Sequence, residues 1–171
     1  ITVTKRNLKS LESHTNKSFN KTNNNIEAVI NSDVIILAIK PYNLISVINE
    51  IKNKIDTNNH IIVSLATGVS IKEIEAVLPK NTSIYRAMPN TAADVSESIT
   101  CICSNDNNQE NNNKISEIFN SIGSSIFINE DLMESATVLG ACGIAYVLRF
   151  IRAMIQGGIQ IGFDAKTANE I

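Results

Sequence analysis

Apolar residues change their spacing several times along this chain, and each change predicts an element. Ile1 to Lys5 alternates β-branched and polar positions and reads as a strand, and Asn7 to Lys17, apolar at Leu8 and Leu11 on an otherwise polar surface, reads as a helix. Asn25 to Asn31 predicts a short helical turn. Asp33-Val34-Ile35-Ile36-Leu37-Ala38-Ile39 is then a continuous apolar run, which suits a parallel strand covered on both faces. Pro41 stands where a helix can begin without losing a needed N–H, and Leu44, Ile45, Ile48 and Ile51 follow at helical spacing.

The unit repeats. His60 to Ala66 predicts a second buried strand, Thr67-Gly68 a turn, and Ser70 to Leu78 a helix whose Ser70 N-cap has Glu73 three residues on. Asn81 to Ala87 predicts a third strand, followed by strand Ser98 to Cys103, helix Asn113 to Ile122 and strand Ser124 to Ile128. Strands alternating with helices imply a mostly parallel sheet built by right-handed crossovers, with ligands at the carboxyl ends of the strands. From Glu130 the pattern changes: Leu132, Met133, Ala136, Val138, Leu139, Tyr146, Val147, Phe150, Ile151 and Met154 make a helix apolar on most sides. Such a helix is expected to be buried against a partner. Gly157, Gly158 and Gly162 are expected to end it, and Ala165 to Ile171 to begin another. The chain therefore divides into residues 1–128 and 129–171, and both ends read as interrupted, since Ile1 lies inside a strand pattern and Ile171 closes an unfinished helical one.

Composition narrows the function classes. The 171 residues are 43% hydrophobic with a formal net charge of -2, enough for an ordinary globular core. Lys and Arg nowhere form a run and Trp is absent, which argues against nucleic acid as a partner. The longest apolar stretches, Val34 to Ile39 and Ile61 to Ala66, fall far short of the roughly 20 residues that span a bilayer, and Lys5, Arg6 and Lys9 break any signal-peptide pattern. Cys101, Cys103 and Cys142 fit neither a zinc site nor a disulfide framework, and His14 and His60 lack acidic clusters. Reduced thiols, no metal and a cytoplasmic location are the resulting expectations. The Asn-x-Ser/Thr triplets at Asn16, Asn20 and Asn81 follow from an Asn-rich composition.

Candidate chemistry lies after the strands. The first glycine is Gly68, so no Gly-x-Gly-x-x-Gly loop for a dinucleotide pyrophosphate occurs; if Ile1 begins the second strand of such a unit, that loop lies upstream. The residue type after that second strand separates the two nicotinamide cofactors, because an acid accepts from the NAD ribose and positive charge receives the NADP 2′-phosphate. Here stand Thr4, Lys5, Arg6 and Asn7, with no acid, which favours NADP. Ala38-Ile39-Lys40-Pro41 closes the next strand with a charge at its mouth, and Thr67-Gly68 offers a small residue where a ligand meets backbone. Met88-Pro89-Asn90-Thr91 follows the third strand with donors and acceptors held by a proline.

Taken together, Asp33 to Pro41, Ser64 to Val69, Arg86 to Thr91, and Gly140 to Tyr146 running into Gln156 to Gly162 resemble pyrroline-5-carboxylate reductase in order and spacing. That resemblance implies an α/β chain with a Rossmann-type, mostly parallel sheet followed by an all-helical dimerisation domain, both truncated. It also implies reduction of Δ1-pyrroline-5-carboxylate to L-proline by NADPH, with NADH possible, in a homodimer or higher homo-oligomer. By position, Thr4, Lys5 and Arg6 would surround the adenosine ribose and its phosphate, Asn25 would contact the cofactor, and Ala38, Ile39, Lys40, Pro41, Ala66, Thr67 and Gly68 would line its nicotinamide half. Met88, Asn90 and Thr91 would approach the reacting ring, with Gly143 in a Gly140 to Gly143 turn beside the substrate.

Four departures from the family pattern stand out. The Gly-rich loop and the Pro-Gly-Gly-x-Thr substrate segment are absent, Ala92 replaces a proline, and Gly140-Ala141-Cys142-Gly143-Ile144 lacks the usual hydroxyls. The 171 residues by themselves are therefore expected to be inactive. A β-hydroxyacid dehydrogenase-like oxidoreductase is the rival reading, but it relies on a helix-borne Lys and none occurs between Glu130 and Lys166. A non-catalytic nucleotide-binding homologue is the other. No catalytic acid is assigned, since a protonated C=N is already electrophilic.

Overall fold

The computed structural model describes residues 1–11 and 19–171. Its centre is a five-stranded sheet of β3 (Val34–Leu37), β4 (Ile61–Ser64), β5 (Ser83–Met88), β6 (Ser98–Ser104) and β7 (Gly123–Phe127), adjacent in that order. All pairs are parallel except β5 with β6. The exception has a local cause: only a single-turn 3-10 segment, Thr91–Val95, separates β5 from β6, too little chain for the crossover that a parallel pair requires.

The helices form where the sequence supplies their ends. α1 (Asn25–Ile30) is capped by the Asn24 side chain, and α2 (Pro41–Ile51) begins at the proline. α3 (Ile71–Glu75) carries the expected capping box, Ser70 accepting from the Glu73 N–H at 3.2 Å and Glu73 from the Ser70 N–H at 2.8 Å. α4 (Gln109–Asn120) starts four residues earlier than its apolar pattern because the Asn108 side chain caps it.

Two cores flank the sheet. Ile35, Leu37, Leu44, Ile48, Ile62, Ile74 and Ile84 pack on one side, and Ile61, Val63, Tyr85, Ala87, Ile102, Ile115 and Phe119 on the other. β4 is buried throughout, whereas β3 is not, since Ile36 remains 42% exposed. The expectation of a strand covered on both faces thus fails at β3: the core residues that α4 contributes, Ile115 and Phe119, cluster with side chains of β4, β5 and β6 and leave Ile36 bare.

Near the amino terminus, β1 (Thr2–Thr4) pairs in parallel with β2 (Asn20–Thr22) in a separate two-stranded sheet. The sequence pattern did not predict β2, whose Asn-Lys-Thr has no apolar residue to mark a strand. Of the helix expected over Asn7 to Lys17, Leu8–Leu11 forms a 3-10 turn, and residues 12–18 lie outside the described residues.

After β7 the chain becomes one helical rod, Glu130–Gln160. It comprises a 3-10 turn at Glu130–Leu132, α5 (Met133–Ala136), a six-residue π-helical segment at Thr137–Cys142, and α6 (Gly143–Gln160). The Gly140 to Gly143 turn is therefore helical and not a turn, and Gly157 and Gly158 lie within α6 and do not end it. Gly158 permits a close contact: a Cβ there would stand 3.2 Å from that of Ala168 on α7 (Ala165–Glu170). Gly162, at φ +115°, makes the break.

Candidate functional site

Sheet register brings three loops together. Leu37 pairs with Ser64 and Ser64 with Arg86, so the residues after β3 and β4 and those ending β5 emerge at one edge of the sheet. Ala38 to Pro41 leaves β3, Ala66 to Gly68 leaves β4, and Met88 to Thr91 closes β5, all at carboxyl ends of neighbouring parallel strands. Lys40 is exposed at the N-terminus of α2, and the Asn43 N–H donates to its carbonyl at 2.9 Å. Ile39 and Pro41 are half-buried beneath it, while Ala38 is exposed.

Thr67 and Gly68 are exposed above buried Ala66, whose N–H donates to Ser64 Oγ at 3.2 Å. Gly68 adopts φ +74°, which strains any other residue, and a Cβ there would meet nothing within 4 Å. A bare, glycine-formed backbone facing open space leaves room for a planar group to approach.

The third loop is held most firmly. The Asn90 N–H donates to Ser98 Oγ at 3.1 Å, its Oδ1 accepts from the Ala92 N–H at 3.1 Å, and its Nδ2 donates to the Gly140 carbonyl at 3.2 Å. That last bond crosses from the sheet to the π-helical segment and sets Gly140 to Gly143 beside Met88 to Thr91. Thr91 is exposed, Met88 and Gly143 half-buried.

Other expected site residues stand apart. Thr4, Lys5 and Arg6 follow β1, with both cationic side chains exposed; the Lys5 N–H donates to the Thr22 carbonyl at 3.2 Å. Among the described residues the ion pairs are Arg86–Glu130 and Lys166–Glu170, so Lys5 and Arg6 are not engaged by an acid there. Asn25 begins α1, and its Nδ2 donates to Glu50 Oε2 at 3.0 Å.

Arg86 and Glu130 were not singled out by their chemistry in the sequence. Arg86 lies in β5, 6% exposed, and its Nη1 donates to Glu130 Oε1 at 2.7 Å. The same oxygen accepts from the Ile71 N–H of α3 at 2.7 Å. A lone Arg inside the otherwise uncharged Ser83–Met88 strand was the available signal. Next to this pair, burial pushes the Cys103 thiol up to about 11, an effect that the nearby Arg86 opposes. Among the described residues no group of three His, Cys, Asp or Glu is arranged to hold a metal.

Two cavities lie elsewhere. One of about 550 Å³ is lined by Glu75, Lys80, Asn81, Thr82, Asn105 and Asp106, and one of about 420 Å³ by Ile1, Asn20, Ser32, Asp33 and Lys114. Neither includes an expected site residue.

A mostly parallel sheet with loops gathered at its carboxyl edge, followed by an apolar helical arm, defines a Rossmann-type α/β fold with a helical extension. Residues 1–68 match the family model described as NADP oxidoreductase, coenzyme F420-dependent, and residues 130–171 match pyrroline-5-carboxylate reductase dimerisation. The chain is 38% identical over 183 residues to pyrroline-5-carboxylate reductase 1 of Dictyostelium discoideum, covering all of this chain and 33% of that protein. A solved pyrroline-5-carboxylate reductase from Coxiella burnetii superposes with TM-score 0.92 at 31% identity, covering 99% of this chain and 64% of that one. The Plasmodium falciparum pyrroline carboxylate reductase, solved with NADP bound, gives TM-score 0.82 at 32% identity over 91% of this chain and 59% of that one. Over its whole extent the chain is thus similar to pyrroline-5-carboxylate reductases. It spans between a third and just under two thirds of the length of the curated relatives it matches over its whole extent.

Proposed function

We propose that this chain carries the cofactor-facing and substrate-facing parts of an NADPH-dependent reductase that converts Δ1-pyrroline-5-carboxylate to L-proline, the last step of proline synthesis. The observation that carries this reading is the convergence of Ala38 to Pro41, Ala66 to Gly68 and Met88 to Thr91 with the helical arm through the 3.2 Å bond from Asn90 Nδ2 to the Gly140 carbonyl. Residues 1–128 form the cofactor side and 129–171 the dimerising, substrate-facing side.

The residues present fit a nicotinamide dinucleotide at two places. Exposed Lys5 and Arg6 beside the Thr4 hydroxyl suit a 2′-phosphate, and the open backbone at Gly68, with Thr67 and Lys40 nearby in the sheet register, suits the nicotinamide half. Asn25, already turned toward Glu50 on α2, supports the cofactor from the side. No residue among the 171 is assigned to the pyrophosphate.

When bound, the reduced nicotinamide supplies a hydride. The chain's own part is orientation: Met88 closes the apolar side of the site, Asn90 and Thr91 offer polar groups to the ring, and Gly143 keeps the helix surface low where the substrate lies. The carbon of the protonated C=N accepts the hydride while its nitrogen keeps the proton, so no side chain needs to donate one. Alignment is then the main contribution expected of the protein, and NADH is accommodated less well for want of the phosphate.

The partner in assembly is a second copy. Glu130–Gln160 is long and apolar enough by length and composition to cross a membrane, and none of its most apolar stretch is buried. Interrupted apolar runs in the sequence hid that length. Arg149 and Arg152 sit near its middle, where each would cost roughly 2.5 to 3.5 kcal/mol in a bilayer, so a protein partner suits the helix better. The match of residues 130–171 to a dimerisation family supports a homodimer or higher homo-oligomer. We further propose that it acts in the cytoplasm, with neither membrane nor nucleic acid as a partner.

The test is an assay on a protein of the full family length that contains these residues. Oxidation of NADPH on adding pyrroline-5-carboxylate, with proline as product, is the expected result. Turnover of a β-hydroxyacid with NAD and none of the imine would shift the assignment to the dehydrogenase class.

A further inference from the structure

We propose that Arg86 and Glu130 form a positioning pair that fixes the tilt of the helical arm, and through it the distance between the nicotinamide-side loops and the substrate-side segment Gly140 to Gly143; this rests on the function proposed above. Glu130 is the first residue of the rod, and one of its oxygens joins three elements: its own helix, Arg86 of β5 and the Ile71 N–H of α3. Those partners lie directly below two of the site loops. Ile71 follows the Thr67-Gly68 turn by three residues, and Arg86 precedes Met88 by two.

Leverage makes the tie consequential. Gly140 is ten residues along the rod, about 15 Å at helical rise, so a pivot of about 4° at Glu130 moves the Gly140 carbonyl by about 1 Å. The only other polar tie to the sheet that reaches this far along the rod among the described residues is the Asn90–Gly140 bond, already 3.2 Å long. Met133, 1% exposed, anchors the foot of the rod in the core, but a single packed side chain constrains the tilt less than directional bonds to two other elements do. The shared carboxylate oxygen of Glu130 makes those bonds.

The pair is also costly in a way that packing alone does not account for. Arg86 is buried, and its Nε has no hydrogen-bond partner among the described residues. Glu130 keeps 35% of its side chain exposed, so the pair combines one enclosed charge with one partly solvated charge and adds little net stability. A pair of this kind that spans two domains is better understood as defining one arrangement.

The experiment uses a protein of full family length with Glu130→Ala, Arg86→Met and the conservative Glu130→Gln, whose amide oxygen still accepts from both donors. Glu130→Ala and Arg86→Met are expected to lower kcat/KM for the imine on the order of a hundredfold, as a displacement near 1 Å does, while NADPH affinity measured by fluorescence stays within about twofold. Glu130→Gln should recover most of that loss. In parallel, hydrogen exchange should quicken together at Ala136 to Gly143 and at Met88 to Thr91 in Glu130→Ala and return in Glu130→Gln. Unchanged exchange at these segments, or a fall in NADPH affinity matching the fall in kcat/KM, overturns the proposal. If the unmutated protein does not reduce the imine, the proposed function fails while the exchange experiment still decides the role of the pair.

Discussion

Two apolar stretches of this chain meet opposite fates. Ile61 to Ser64 is buried residue by residue between two helical layers, whereas Gly143–Gln160, with comparably apolar content, has no buried residue at all. Hydropathy alone does not distinguish them. The difference lies in what the rest of the chain offers: α2 and α3 cover one face of β4 and α4 the other, while α6 meets little beyond α7 and the π-helical segment. An apolar strand finds its cover within the chain, and an apolar helix left bare requires another molecule.

The largest expected effect tests the interior side of that contrast. Gly123 opens β7 at φ +146°, and a Cβ there would come within 2.0 Å of the Ser98 carbonyl oxygen on the adjacent strand. Gly123→Val should therefore disrupt the β6–β7 pairing and abolish the cooperative thermal transition. A melting curve like that of the parent would show that the strand edge relaxes more readily than its geometry implies.

A matched pair sharpens the contrast directly. Ile62→Ala, at a fully buried site, should cost about 2–5 kcal/mol in chemical denaturation. Leu139→Ala, at a residue 82% exposed, should leave the stability of the single chain within about 0.5 kcal/mol yet weaken self-association in sedimentation or light scattering. If Leu139→Ala leaves association untouched, the covering molecule seats on a different face of the rod.

How much of this was legible follows the same division. Strands and helices of the sheet could be read because each carries its own signal: continuous apolar runs, Pro41 at a helix start, the Ser70-Glu73 capping box. β2 could not, since Asn20-Lys21-Thr22 is held by backbone pairing to β1 and by no apolar side chain. Nor could the direction of β6, which depends on connection length more than on its residues. In the helical arm, glycines suggested breaks that the structure does not have, because Gly158 serves contact with Ala168 and Gly140 lies in a π-helical segment. The site loops were found by strand ends; the Arg86–Glu130 pair was missed, as its partners are 44 residues apart and only folding joins them.

The contrast extends to charge. Arg86 is enclosed and engaged, while Arg6 is exposed after β1 and faces no acid among the described residues. In a protein of full family length that contains these residues, Arg6→Asp should weaken NADPH binding by roughly 1.5–3 kcal/mol, the size of a lost charge-assisted bond to phosphate, and leave NADH binding much less changed. Equal losses for the two cofactors in paired Michaelis constants would remove the 2′-phosphate from this position.

The smallest effect separates two tyrosines by environment. Tyr146 is 67% exposed on the arm, but Tyr85 is fully enclosed in β5, with its hydroxyl donating to Asn112 Oδ1 at 2.8 Å. Burial is the main force pushing the Tyr85 hydroxyl up to about 12, because the phenolate would have to form away from water. An unfolded tyrosine ionises near pH 10, so the folded state holds the proton more tightly. The stability this confers is fully present below pH 10 and is lost as pH rises from about 10 through about 12, amounting to at most about 2 to 3 kcal/mol. Tyr85→Phe removes the proton along with the hydrogen bond, costing about 0.5–1.5 kcal/mol at neutral pH. Its denaturation midpoint should then fall less steeply than that of the parent between pH 10 and 12, and the difference between the two curves isolates this one group from the lysines that titrate in the same range. Parallel curves would mean that water reaches the Tyr85 hydroxyl, and that the interior side of the sheet is less closed than the burial of β4 and β5 implies.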